Sequence, residues 1–97
     1  MLSVRKDLGD VAGARGDRDA ARALYAESLV IFRELGNRIG VGWSLNGLGR
    51  VALDQGHSAL ARTLYTEGFS ILKELGDKQG VAESLEGLAA SEVSDAV

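Results

Sequence analysis

Trp43, Asn46, Arg50 and Leu53 follow one another at steps of three, four and three, the spacing of one side of a helix. An indole, an amide, a guanidinium and an aliphatic chain on one stripe make recognition chemistry rather than catalysis. The amide can bond a peptide backbone. Arginine can grip a carboxylate through two parallel hydrogen bonds. Tryptophan supplies contact area and is enriched where binding energy concentrates. Other residue groups suggest reactions and fail on spacing. The single histidine, His57, follows Gly56 in a turn and has no companion ligands, so no metal site is expected. The chain has no cysteine, which removes thiolate chemistry and cysteine-based zinc sites. Gly47, Gly49 and Ala52 match the dinucleotide fingerprint in letters. That pattern carries meaning only after a strand and at a helix start, whereas here it falls inside a helical stretch. Glu83 and Glu86 lie one helical turn apart but have no companion base, nucleophile or implied pocket, so a solvated face is the reading for that pair. No catalytic residue and no cofactor site follow from the sequence.

The elements that would position these residues come from an internal repeat. Residues 16–55 are followed directly by 56–95, an offset of 56 − 16 = 40 without gaps. Under it Ala21, Leu24, Tyr25, Ile31, Leu35 and Gly36 fall on Ala61, Leu64, Tyr65, Ile71, Leu75 and Gly76. Gly40, Val41, Ser44, Leu45, Gly47 and Leu48 fall on Gly80, Val81, Ser84, Leu85, Gly87 and Leu88. A period in this range marks stacked supersecondary units. The stripe on 38–55 then has equivalents at Lys6 and Asp10 in the preceding unit. In the following unit the equivalents are Glu83, Glu86 and Ala90.

The periodicity predicts five helices, at about 1–15, 18–35, 38–55, 59–75 and 78–93. Apolar faces are expected along Ala21, Leu24, Tyr25, Leu29, Phe32 and Leu35, and along Ala61, Leu64, Tyr65, Phe69, Leu72 and Leu75. The helix between them should bury Val41, Leu45, Leu48, Gly49 and Ala52, leaving Trp43, Asn46, Arg50 and Leu53 turned away from the core. Gly16, Gly36, Gly56 and Gly76 punctuate the helices. Asp17 or Asp19, Asn37 and Ser58 are candidate helix caps. Glycines inside 38–55 each cost about 0.5–1 kcal/mol relative to alanine, so packing must hold that helix and the glycines must serve close approach. In the last helix Gly49, Arg50, Val51 and Ala52 are replaced by Ala89, Ala90, Ser91 and Glu92, the pattern of a solvated end.

Alternating helices with Leu48-Gly49, Gly56, Ala61, Tyr65 and Gly68, and with Leu8-Gly9, Gly16, Ala21, Tyr25 and Ser28 one unit earlier, resemble the tetratricopeptide repeat. The usual unit of that family has about 34 residues in a helix–turn–helix. This chain departs from it in having Leu45 at the tryptophan position, Ala52 at the tyrosine position and no closing proline. It looks like the roughly 40-residue variant found in bacterial signalling ATPases and transcriptional regulators, kinesin light chain and polarity adaptors. The resemblance implies an all-α, right-handed superhelix of about five antiparallel helices. It implies one domain over 1–97, with a half-repeat at 1–15 and repeats at 16–55 and 56–95. It also implies a non-catalytic protein–protein interaction scaffold whose concave surface is lined by the first helix of each unit. Lys6, Asp10, Trp43, Asn46, Arg50, Leu53, Glu83 and Glu86 are then the candidates for contact with a protein or peptide. The family's carboxylate clamp needs a lysine and asparagine set. Lys6 fits it, but Asp10 stands at an asparagine position, so the clamp is not expected. The asparagine that long-repeat adaptors carry just before Leu-Gly is also missing, its positions being held by Asp7, Gly47 and Gly87.

Composition bounds the alternatives. A net charge of −3 disfavours nonspecific nucleic-acid binding. No apolar run approaches the roughly 18 residues of a membrane span, and no secretory signal opens the chain. A cytoplasmic, bacterial origin is a compositional expectation. Arginines crowd the first half and acids the second, which reads as solvated faces, as head-to-tail attraction between copies, or as a polarised groove. About three repeats are usually needed for stability. The rival expectation is therefore a self-assembling, homo-oligomeric unit of a larger bacterial regulator.

Overall fold

A computed structural model of the chain describes residues 18–96. These form four α-helices and no strand: α1 Arg18–Leu35, α2 Arg38–Asp54, α3 Ser58–Leu75 and α4 Lys78–Ala96. The expected helix over 1–15, with Lys6 and Asp10, lies outside the described residues. The helix starts keep the offset of the repeat, 58 − 18 = 40 and 78 − 38 = 40.

The three turns close in the same way. Gly36, Gly56 and Gly76 have φ of 70°, 81° and 75°, the left-handed region that a Cβ disfavours. Each glycine N–H donates three residues back: Gly36 to Arg33, Gly56 to Leu53 and Gly76 to Lys73. The next N–H donates five residues back: Asn37 to Phe32, His57 to Ala52 and Asp77 to Leu72, at 2.8–2.9 Å. This paired closure satisfies carbonyls that a helix end leaves open. The residue after the glycine then starts the next helix, since Asn37, His57 and Asp77 accept from Val41, Ala61 and Val81. Asn37 Oδ1 also caps the Gly40 N–H at 3.0 Å, and Asp77 Oδ1 the Gly80 N–H at 3.3 Å. The cap expected at Ser58 is corrected. His57 holds that position, its side chain makes no capping bond, and Ser58 is already the first helical residue. The linkers are so short that sequential helices must run antiparallel.

α2 packs against α1, α3 and α4, and α3 against α4. The core lies where α2 and α3 meet: Ala52, Ala61 and Tyr65 form one buried cluster, with Leu53, Leu64 and Leu88 packed around it. Val41, Leu45, Val51 and Leu72 are also buried. Close approach depends on glycine, as its spacing suggests. The Tyr65 ring lies against both Gly49 of α2 and Gly87 of α4, where a Cβ would collide with it. Tyr25 lies on Gly47 and Phe32 on Gly40 in the same manner. At Gly68 a Cβ would come within 3.2 Å of the Gly42 carbonyl, so α2 and α3 touch backbone to backbone there.

Two expectations about faces are corrected. α1 has no buried residue; its expected inner positions Leu24, Tyr25 and Leu35 are exposed. Leu85 is 51% exposed although its equivalent Leu45 is 2% exposed, because no described helix covers that side of α4.

Candidate functional site

α2 and α4 stand side by side, with the tyrosines of α1 and α3 reaching between and beside them. A concavity of about 410 Å³ opens there, lined by Tyr25, Trp43, Asn46, Gly47, Arg50, Tyr65, Gln79 and Glu83. The chain has one tryptophan and two tyrosines, so all its polar aromatics border this one space.

Trp43 is 53% exposed. Its indole N–H donates to Asp77 Oδ2 at 2.6 Å, and the other oxygen of Asp77 caps α4. One carboxylate therefore orients the ring and anchors the start of the facing helix. More than half of the residue stays exposed while its polar atom is occupied. Arg50 is exposed and lies one helical turn beyond Asn46 along α2. Glu83 is exposed on α4.

Tyr65 is held by the two glycines that pinch its ring, and only 5% of the residue is exposed. Burial pushes its phenol above the usual tyrosine range. The Arg50 charge opposes that rise, while Asp54, Glu83 and Tyr25 add to it. The phenol accordingly stays neutral at neutral pH.

Asn46 corrects a sequence expectation. It borders the concavity but is 6% exposed and faces α4 rather than solvent. Its Nδ2 donates to the Gly80 carbonyl at 3.1 Å, and its Oδ1 lies 2.9 Å from the Ser84 hydroxyl, which also lies 3.0 Å from the Gly80 carbonyl. A buried amide must be paired, and this one is paired across two helices, so its role is to join them. Leu53 is corrected as well: it is half-buried against the Ala52, Ala61 and Tyr65 cluster and does not line the concavity. Glu86 is exposed outside it. Of the candidates chosen from the sequence, the structure brings together Trp43, Asn46, Arg50 and Glu83. Lys6 and Asp10 are outside the described residues.

Sequence reasoning missed Tyr25, Tyr65 and Gln79 as lining residues, having assigned both tyrosines to the apolar face. The signal was present in their hydroxyls, repeated at the same offset; a purely apolar position would not require one. Among the described residues no group of three or more His, Asp or Glu is placed to hold a metal ion. None of the described helices is long and apolar enough to cross a membrane.

Paired helices joined by tight glycine turns, repeated at forty residues with a lined concavity between units, define a helical-hairpin repeat protein. The family model described as Tetratricopeptide repeat matches residues 1–74, and the chain belongs to the tetratricopeptide repeat family. Members of this family generally mediate protein–protein interactions. No curated protein and no solved structure matches the chain.

Proposed function

We propose that this chain is a non-catalytic interaction scaffold that holds a peptide or protein segment in the concavity between α2 and α4. The observation that carries the reading is the lining itself: Tyr25, Trp43 and Tyr65 border one space together with Arg50 and Glu83. The exposed parts of Trp43 and Tyr25 supply contact area, and charged groups on two different helices supply orientation. In this reading the units stack as a right-handed superhelix of the long-repeat kind, and 1–97 is one domain. A place in a bacterial regulator or adaptor suits that architecture.

The test is a double substitution, Trp43→Ala with Arg50→Ala. Peptide capture is expected to disappear with solution mass unchanged; capture that survives would refute the assignment. Trp43→Phe separates the ring from its Asp77 bond and keeps the surface.

A second reading, self-association, is favoured by the bare side of α4. Leu85 and Val93 are exposed there, and Leu45, the equivalent of Leu85, is covered by the rest of the stack. Light scattering across concentration and salt checks it. Mass that rises with concentration at every salt supports apolar end-to-end contact, and a constant monomer refutes it.

A further inference from the structure

Arg50 and Glu83 face the same concavity from adjacent helices, α2 and α4. Neither forms an ion pair or a hydrogen bond among the described residues, in contrast to Arg22–Asp19, Arg33–Glu67 and Arg38–Glu74. Both are exposed. Their charges are felt inside the space, since both act on the Tyr65 phenol and in opposite directions. Arg50 thus sets one positive charge on the α2 side of the concavity and Glu83 one negative charge on the α4 side, with Trp43, Tyr25 and Tyr65 bordering the same space.

We infer that the occupant of this groove is a peptide segment of dipolar character, with an acidic side chain at Arg50, a basic side chain at Glu83 and apolar residues between them on the aromatic rings. This rests on the groove reading above and specifies its ligand. A uniformly acidic segment would meet Glu83, and a uniformly basic one would meet Arg50. Like-charge contact is a strong penalty in a recognition site. A neutral segment would leave both charges without a partner where it displaces their water. Only opposite charges in a fixed order satisfy both Arg50 and Glu83, so the order also fixes the direction in which the peptide lies.

The experiment is selection of a displayed random nonapeptide library on the wild-type chain. Selected peptides are then synthesised and titrated by calorimetry against wild type, Arg50→Gln, Glu83→Gln, Trp43→Ala and the exchanged pair Arg50→Glu/Glu83→Arg. Circular dichroism confirms that each variant folds. Selected peptides are expected to carry one acid and one base with apolar residues between. Each glutamine variant should weaken them by about threefold to fivefold, the upper scale of an ion pair at an exposed site. The exchanged pair should lose the original peptide and bind the version with acid and base interchanged. Peptides that depend on Trp43 but are indifferent to both glutamine variants would overturn the dipolar inference and leave the groove reading standing. Peptides indifferent to Trp43→Ala as well, or no selected peptide at all, would overturn both.

Discussion

Tyr25 and Tyr65 occupy the same position of the repeat, yet one is 39% exposed and the other 5%. Both lay a ring over a glycine of the following helix, Gly47 and Gly87. Tyr65 is also closed from behind by Gly49 of α2, and its helix packs against both α2 and α4. Among the described residues α1 packs against α2 alone, joined to α3 by the exposed Arg33–Glu67 ion pair at 3.6 Å. The same letters thus have different energetic weight according to how many neighbours a unit has, as expected of a quasi-one-dimensional stack.

The largest test of that contrast removes the two rings. Tyr65→Ala is expected to cost about 3–5 kcal/mol, the scale of a large aromatic lost from a core. That is enough to unfold much of a marginal domain. Tyr25→Ala should cost no more than about 1.5 kcal/mol, since that ring is already partly in water. Urea unfolding of both variants reads the difference, and equal losses would break the comparison.

A finer test adds a methyl instead. Alanine at Gly87 or Gly47 gains about 0.5–1 kcal/mol of helix propensity. At Gly87 the new Cβ meets a ring that Gly49 keeps from retreating, so overpacking of about 1–3 kcal/mol should win. At Gly47 the Tyr25 ring can swing into solvent, and the variant should be neutral or slightly more stable. Thermal melts give the two signs.

Next in size is Asn46 against its equivalent Glu86. Asn46→Ala removes a buried bridge to Gly80 and Ser84 and should cost about 1–3 kcal/mol. Glu86→Ala is exposed and should stay within about 0.5 kcal/mol. Denaturant midpoints measure both.

The smallest effect concerns the exposed Arg38–Glu74 pair, bonded twice at 3.2 Å between α2 and α3. Hydrogen bonding and then the charge of Arg38 hold the Glu74 carboxyl below the usual range, and Glu74 raises the Arg38 guanidinium in return. A carboxyl with a depressed folded value contributes stability above its unfolded value, about pH 4.3, and loses it as pH falls further. Melting temperatures of wild type and Arg38→Ala should therefore differ slightly at neutral pH and low salt, and converge in acid or high salt.

The helices were legible in the chain because glycine punctuation and apolar spacing repeat together, and α1 to α4 begin within one residue of the expected places. Burial was less legible. A helical stripe shows which side differs from the rest, but not whether a neighbour is there to cover it, so Leu85 and α1 read as core and are open. Asn46 was misread for a related reason. It sits off the stripe of Val41 and Leu45, but α2 packs on several sides. An amide pointing away from one neighbour points at another, and the repeated Ser44 and Ser84, both buried, were the available hint of a polar contact there. Trp43, Arg50 and Glu83 were legible as a pattern because solvent-facing residues need no neighbour to define them.

The turn glycines stand at 36, 56 and 76, one every twenty residues. Each turn both ends one helix and begins the next, with no slack chain between. Under tension such a molecule has few places to yield gradually. Pulling a terminal helix away breaks its closing bonds and the first bonds of its neighbour in one event. Extension should then proceed in packets of one helix and turn, each releasing roughly 70 Å of contour at about 3.3–3.6 Å per residue. The same joint that fixes the geometry of the stack should therefore graduate its extension in units of twenty residues.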